Sequence, residues 1–413
     1  MKILFVSLLL PHPYADHASA FTVLKMIKHL SKKHEVSLVS FVRSEKEREY
    51  VKHIKDYCHR VETVLLPQSL FRKLWVRAKL LGLKPVCVSN SYCRQMRDCI
   101  RSLCRSEKFD IVQAEYTPMG QYVSEVGESA AIINVHDLIH VTAKRFVKNL
   151  AFSQKKLEWF ADSLVCRRYE SQLYSRFNHV LALSKNIKEH LLSLDASMNV
   201  SVIQPGVDIP EMQKSHSQGV GRNLIFMGAM WRPENIDAVL YFYHSIFGPI
   251  REAVPDVVLH IVGGSPSEEI RKLGSDSHVK VSGYVNDLLP YYLQSDVSIA
   301  PVRIAGGVMC KILDAMAAGL PVITTTEGNE GIGAEPGEEI IVADTPKDFA
   351  NSTIEMLKDG HRRKTLSQKG VDFVRSNFSW EQAIRKIESI YQECLSSQRE
   401  NRSPNFESSI CIS

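Results

Sequence analysis

Near-continuous apolar runs alternate with amphipathic segments along most of this chain. Residues 2–8 form an apolar run that ends at Pro11, the pattern of a strand covered on both faces within a parallel sheet. From Phe21, the apolar positions Phe21, Leu24, Ile27 and Leu30 recur at helical spacing, and residues 36–42 return to strand-like side chains. A βαβ unit therefore opens the chain. The alternation continues through strand candidates at 61–66, 111–114, 131–135 and 180–183 and is interrupted by a polar stretch, EMQKSHSQGVG, at 211–221. It resumes at 224–227, 258–262, 279–281, 297–300, 321–325 and 340–342. This predicts an α/β chain of two doubly wound, Rossmann-like domains, residues 1–205 and 223–380, joined by a linker over 206–222. An amphipathic helix over 381–396 is expected to pack back on the amino-terminal domain, and the polar tail 397–413, with little to bury, is expected to be disordered.

Composition narrows the class without changing the architecture. In 413 residues, 44% hydrophobic and 23% charged positions are ordinary for a globular protein, and no apolar run is long enough to span a bilayer. The first residues imitate a short secretory signal, but the basic region is a single lysine, so a first buried strand accounts for them better. Nine cysteines form no C-x-x-C pair and no metal-ligand spacing, which suits reduced, buried thiols in a cytoplasmic protein. The net charge of +5 is unevenly shared: residues 1–200 hold 31 Lys and Arg against 19 Asp and Glu, the remainder 20 against 27. A basic half can face a phosphorylated ligand, an anionic membrane or nucleic acid. Zinc-finger and aromatic RNA motifs are absent from the sequence, so a nucleic-acid-binding or scaffold protein is a poor reading. The first strand is followed by no G-x-G-x-x-G turn, which argues against a nicotinamide dehydrogenase.

In open parallel sheets ligands lie outside the carboxyl ends of the strands, so the loops there are where chemistry is sought. The strand over 297–300 leads through Pro301 into a loop with Arg303, Gly306 and Gly307, and a helix follows from Val308. Unpaired amides and the dipole at a helix start attract phosphate, so backbone at Gly306, Gly307, Val308 and Met309 forms a candidate cradle. Lys311 adds a full charge for a diphosphate, and Asp314, three residues on and on the same face, suits hydrogen bonds from a ribose diol.

The run K-I-L-D-A-M-A-A-G-L-P-V-I-T-T-T-E-G-N-E-G-I, starting at Lys311, resembles the donor-site helix of retaining glycosyltransferases of the GT-B fold, family 4. That family carries two glutamates eight positions apart. Asp314 matches the second, and Gly306 falls where the first, a donor-sugar contact, would stand. The chain is similar to a subset with a G-G-G-x-x-x-K-I-L-E-A-M form. Residues 226–239 resemble the opening of the carboxyl domain in that subset, with Ala229 and Asn235 at the places of a diphosphate-gripping Arg and Lys, which leaves Arg232, Arg303 and Lys311 as the available cations. The resemblance further implies a base-holding loop at Gly283, Tyr284 and Val285, and a donor contact from Glu330 in G-N-E-G. In the amino-terminal half it implies a cleft histidine at His136 in N-V-H-D, and an acceptor-side loop after the first strand in which His17 stands near the usual Gly-Gly pair. Glu115 is a weaker acceptor-side candidate, and Arg145 and Glu170 are expected to pair or lie on the surface.

The expected activity is transfer of a sugar from a nucleotide diphosphate sugar to a hydroxyl of a glycan or lipid-linked glycan, with retention of configuration, as in polysaccharide biosynthesis. His136, Lys311 and Asp314 are the catalytic candidates. The resemblance implies no catalytic metal and no cofactor beyond the donor. A nucleotide-sugar 2-epimerase of the same fold is the alternative. Residues 71–84 set cations among Trp and Leu at helical spacing and are a candidate for peripheral contact with an anionic membrane on its cytoplasmic face.

Overall fold

In a computed structural model, which describes residues 1–15, 18–66, 84–149, 154–210, 219, 221–304 and 307–402, the apolar runs become two fully parallel sheets. The first contains β1 (Lys2–Ser7), β2 (Glu35–Val42), β3 (Arg60–Leu65), β4 (Ile111–Glu115), β5 (Ala130–Val135), β6 (His179–Ala182) and β7 (Val200–Val202), in the order β3-β2-β1-β4-β5-β6-β7. The second contains β8 (Asn223–Met227), β9 (Val258–Val262), β10 (Val279–Gly283), β11 (Val297–Ala300), β12 (Val322–Thr324) and β13 (Ile341–Val342), in the order β10-β9-β8-β11-β12-β13. Counted from its own first strand, each sheet has the 3-2-1-4-5-6 order of a doubly wound fold, so each has a switch point, between β1 and β4 and between β8 and β11.

Strand side chains alternate between the two faces, and the continuous apolar runs supply both. Leu4 and Val6 of β1 enter one core with Val39 and Phe41, while Ile3 and Phe5 enter another with Leu38 and Val42. In the second sheet Leu224 and Phe226 pack on one side and Ile225 on the other.

The chain's last helix, Trp380–Arg402, belongs to the first sheet's packing. Ile384, Ile387, Ile390 and Tyr391 share a core with Ile3 and Phe5 of β1, although nearly 400 residues of chain separate them. The crossing segments run side by side, with the Val207 N–H donating to the Phe378 carbonyl at 2.9 Å. Gly206 lies so close to the Trp380 ring that a Cβ there would come within 2.2 Å of Cγ. This helix extends to Arg402, past the stop expected near 396, because Gln398 and Arg399 are good helix formers and no proline interrupts before 404. Residues 403–413 lie outside the described residues.

Truncating Ile387, which is fully buried, to alanine is expected to cost about 2–5 kcal/mol. Amide exchange should accelerate first in β1, β2 and β4, and only later in β8 and β9, although residue 387 follows both domains in sequence.

Candidate functional site

The carboxyl ends of β1, β4 and β5 are brought to the loops after β8, β11 and β12, and the contact between the two sides depends on glycine. Gly307 forms an isolated antiparallel bridge with Asp137, and a Cβ on residue 307 would lie 2.3 Å from the His136 carbonyl oxygen. No other residue type allows that approach without displacing one side. A second tie is polar. Thr325 caps the short helix Thr326–Asn329 by accepting from the Gly328 N–H at 3.1 Å, and Glu330 follows. Glu330 then accepts from Arg145 of the helix Ile139–Asn149 and, at 2.6 Å, from Asn186 of the helix Lys185–Leu194. Glu330, expected to contact the donor, here joins the two domains. Val308 packs against the cores of both.

On the amino-terminal side, His136 is the last member of a buried polar chain. Tyr391 of the terminal helix donates to Gln113 Oε1; the Gln113 amide and the Asn134 amide, the latter at 3.0 Å, donate to Glu115. His136 Nε2 lies 2.7 Å from Glu115 Oε2. A carboxylate ringed by donors accepts only, so in the neutral imidazole Nε2 carries the proton and Nδ1, buried with no hydrogen-bond partner among the described residues, is the acceptor. The Tyr116 ring stacks on the imidazole at 4.3 Å between centroids, and Tyr116 takes a φ of +73°, a left-handed backbone that a bulky residue adopts only under constraint. Glu115, expected on the acceptor side, is fully buried behind His136 and reaches the cleft only through it. Glu170 is also fully buried: it accepts from the Ile139 and His140 amides at 2.9 and 3.1 Å and fixes the start of the helix that carries Arg145. His17 lies outside the described residues.

On the carboxyl-terminal side, the helix Cys310–Ala317 buries Ile312, Leu313, Ala315, Met316 and Ala317 and ends in a Schellman turn. The Leu320 and Gly319 amides donate to the Ala315 and Met316 carbonyls, both at 2.9 Å, and Gly319 has a φ of +82°. Thus A-A-G-L-P stops the helix and starts β12, which fixes where its other end points. Lys311 donates to Asn235 Oδ1 and lies 4.5 Å from the centre of the Phe226 ring. Burial, with Arg232 nearby, pulls the Lys311 pKa down to about 7. Burial, with Asp208 adding repulsion, pushes Asp314 up to about 7. Asn235 itself is held by a bond to the Ala229 carbonyl at 2.9 Å and by contact with Gly228.

The other expected cations are differently placed. Arg232 pairs with Glu234. Arg303 forks onto Asp237, with Nε 3.0 Å from Oδ2, and stacks 4.3 Å from the Tyr241 ring, so its guanidinium is turned onto the helix Pro233–Ser245. Gly283 ends β10 with a φ of +69°, Val285 packs against the core that includes Tyr292, and Tyr284 is 53% exposed. Burial raises the Tyr284 pKa, and Tyr50 and Tyr14 of the other domain raise it further. Gly306 lies outside the described residues. Among the described residues, Glu35, His59 and Glu107 come close enough to share a metal ion, but they lie at or just before the starts of β2, β3 and β4, at the opposite end of the strands from the cleft. Sequence reasoning missed Asn235 as the partner of Lys311 and Gln113 and Tyr391 as supports of His136. The first had a signal, a polar side chain where the family pattern has a cation; the other two had none.

Comparison with known proteins agrees with this arrangement. The family described as "Glycosyltransferase Family 4" matches residues 20–211, and "Glycosyl transferases group 1" matches residues 221–359. The chain is 23% identical over 401 residues to an uncharacterized 44.6 kDa protein of the Klebsiella pneumoniae cps region, covering 94% of this chain and 98% of that one. Sucrose-phosphate synthase from Thermosynechococcus elongatus has a similar fold, with a TM-score of 0.73 at 15% identity, covering 96% of this chain and all of that one. Anabaena HepE in complex with UDP and glucose aligns with a TM-score of 0.64 at 15% identity, over 95% of this chain and 99% of that one. With one family match in each domain, together spanning most of the sequence, the chain belongs among the GT-B-fold glycosyltransferases.

Proposed function

We propose that the cleft transfers a sugar from a nucleotide diphosphate sugar to a hydroxyl of a glycan or lipid-linked glycan, with retention of configuration and without a metal. The carrying observation is the bridge from Gly307 to Asp137, which sets the start of the helix Cys310–Ala317 opposite His136. The similarity to a HepE structure containing UDP and glucose supports a donor of this class. Family matches over both domains favour transfer over epimerisation.

In this reading the diphosphate lies at the first amides of that helix, and Lys311 turns from Asn235 to meet it. A half-buried lysine with a pKa near 7 is poised for that step, because the arriving charge restores the proton that desolvation disfavours. Charge developing on the leaving diphosphate is then met by fixed dipoles and cations. Asp314, ionised, accepts from the ribose. His136 Nδ1 accepts from a hydroxyl of the donor sugar or the acceptor. Retention follows from front-face attack, in which the departing phosphate oxygen takes the acceptor proton and no side-chain nucleophile is required. Eight described cysteines, all free, suit a reducing, cytoplasmic setting.

Calorimetry with a panel of nucleoside diphosphates and their sugars tests this first. Lys311→Ala should weaken diphosphate binding by about 1.5–3 kcal/mol, the worth of a charged hydrogen bond. Binding should be strongest near pH 7, where the two titrations overlap. Above it Lys311 loses the proton the diphosphate requires, and affinity drops by up to about tenfold per unit; below it Asp314 gains a proton and stops accepting. A flat profile, with affinity unchanged in Lys311→Ala, would exclude this site. Product epimerised without acceptor would favour the alternative chemistry.

The buried chain behind His136 yields a separate expectation. Nitrogen NMR of the imidazole should report the Nε2–H tautomer. Glu115→Gln should mix the tautomers and lower turnover by about 10–100-fold, the usual effect of removing an orienting partner. Tyr391→Phe should do the same more weakly while leaving KM for the donor unchanged; a His136 spectrum indifferent to both changes would disconnect the chain from the site.

A further inference from the structure

The helix Gln154–Tyr174 is apolar on two opposite sides, and the buried side accounts for only one of them. Inward, Cys166, Tyr169, Leu173 and Tyr174 are buried, and Glu170 holds the helix start at Ile139 beside the cleft. Outward, Leu157, Phe160 and Leu164 recur at i, i+3 and i+7 and are 55, 52 and 61% exposed. A water-facing helix normally sets polar side chains there. The same outward face holds Lys156, Arg167 and Arg168. Leu164, Arg167, Arg168, Ser171 and Leu194 line an open depression of about 300 Å³, cations beside apolar side chains.

We infer that this outward face of Gln154–Tyr174 lies on an anionic lipid surface, with the leucines and phenylalanine among the acyl chains and the arginines at the headgroup phosphates. The occupant follows from charge and geometry. Apolar side chains flanked by Lys and Arg are what an interfacial helix presents to anionic lipid. A second copy docked on the same face about a two-fold axis would bring like cations together. Insertion across the bilayer is not the mode, since among the described residues no helix is long and apolar enough to span. One helix thus braces the cleft with its inner face and meets lipid with its outer one, which would hold the cleft near the membrane. This names the partner behind the lipid-linked acceptor proposed above and rests on that reading for its purpose, but its test is independent of transfer. The segment over 71–84, singled out from the sequence for the same role, lies almost wholly outside the described residues.

The full chain is sedimented with vesicles of phosphatidylcholine alone and of phosphatidylcholine with phosphatidylglycerol. Binding is expected to the anionic vesicles only, and to weaken with salt. The triple variant Leu157→Asn, Phe160→Asn, Leu164→Asn should reduce partitioning by about tenfold or more, with melting temperature and solution mass unchanged. Arg167→Glu with Arg168→Glu should reduce it comparably. The inference is overturned if the unaltered chain ignores anionic vesicles, or if both variants bind as it does, which would move the contact to another segment. It is equally overturned if the triple variant melts earlier or changes from dimer to monomer, since the face would then be covered by the chain itself or by a second copy. Nucleotide-diphosphate binding, measured in parallel, separates failure of this inference from failure of the proposed transfer.

Discussion

Two domains of this kind can cooperate only if their strand-end loops meet, and in this protein that meeting passes through a residue without a side chain. Gly307 touches the His136 carbonyl and pairs with Asp137, and Gly331 in turn touches Gly307, since a Cβ on residue 331 would lie 2.5 Å from the Gly307 oxygen. Backbone therefore packs on backbone where the loop before the helix Cys310–Ala317 meets the end of β5 at His136. Side chains reinforce the contact from outside it, through Glu330 to Arg145 and Asn186.

The two halves of the site are prepared by opposite electrostatic means. His136 is held by a fully satisfied carboxylate, with three donors converging on Glu115 and a tyrosine from the last helix steadying the glutamine among them. Such a network orients a ring and fixes its tautomer, because each buried polar atom would be costly to leave unpaired. Lys311 and Asp314 are instead held in surroundings that weaken their charges, the condition that the phosphate and hydroxyl groups of the proposed donor would relieve. One side of the cleft is thus held by satisfied hydrogen bonds, while the other keeps two groups whose charges burial disfavours.

How much of this was legible in the sequence follows from how local each feature is. Apolar runs over β1, β5 or β11 need only their own residues to declare themselves, and both parallel sheets were readable from them. The helix carrying Lys311 and Asp314 was equally plain, since its periodicity and its A-A-G-L-P ending lie within a dozen positions. Arg303 could not be judged, because Asp237, which takes its guanidinium, is 66 residues away. Glu115 read as a substrate contact because nothing along the chain reveals that His136, 21 residues later, lies in front of it. The Tyr391 bond to Gln113 spans 278 residues and leaves no pattern at all. The exposed stripe on Gln154–Tyr174 was hidden for a related reason: leucine and phenylalanine in a helix look like core residues along the chain, and only the fold leaves Leu157, Phe160 and Leu164 more than half exposed.

In the proposed reading the cradle at Gly307 to Lys311 and the imidazole of His136 act on one donor molecule across the cleft. A crystal structure of the protein with a nucleotide diphosphate sugar tests this most directly. Diphosphate oxygens are expected on Lys311 Nζ and the first amides of the helix Cys310–Ala317, with the ribose on Asp314 and a sugar or acceptor hydroxyl donating to His136 Nδ1. A diphosphate seated elsewhere, with Lys311 still on Asn235 and Nδ1 facing no hydroxyl, would contradict it.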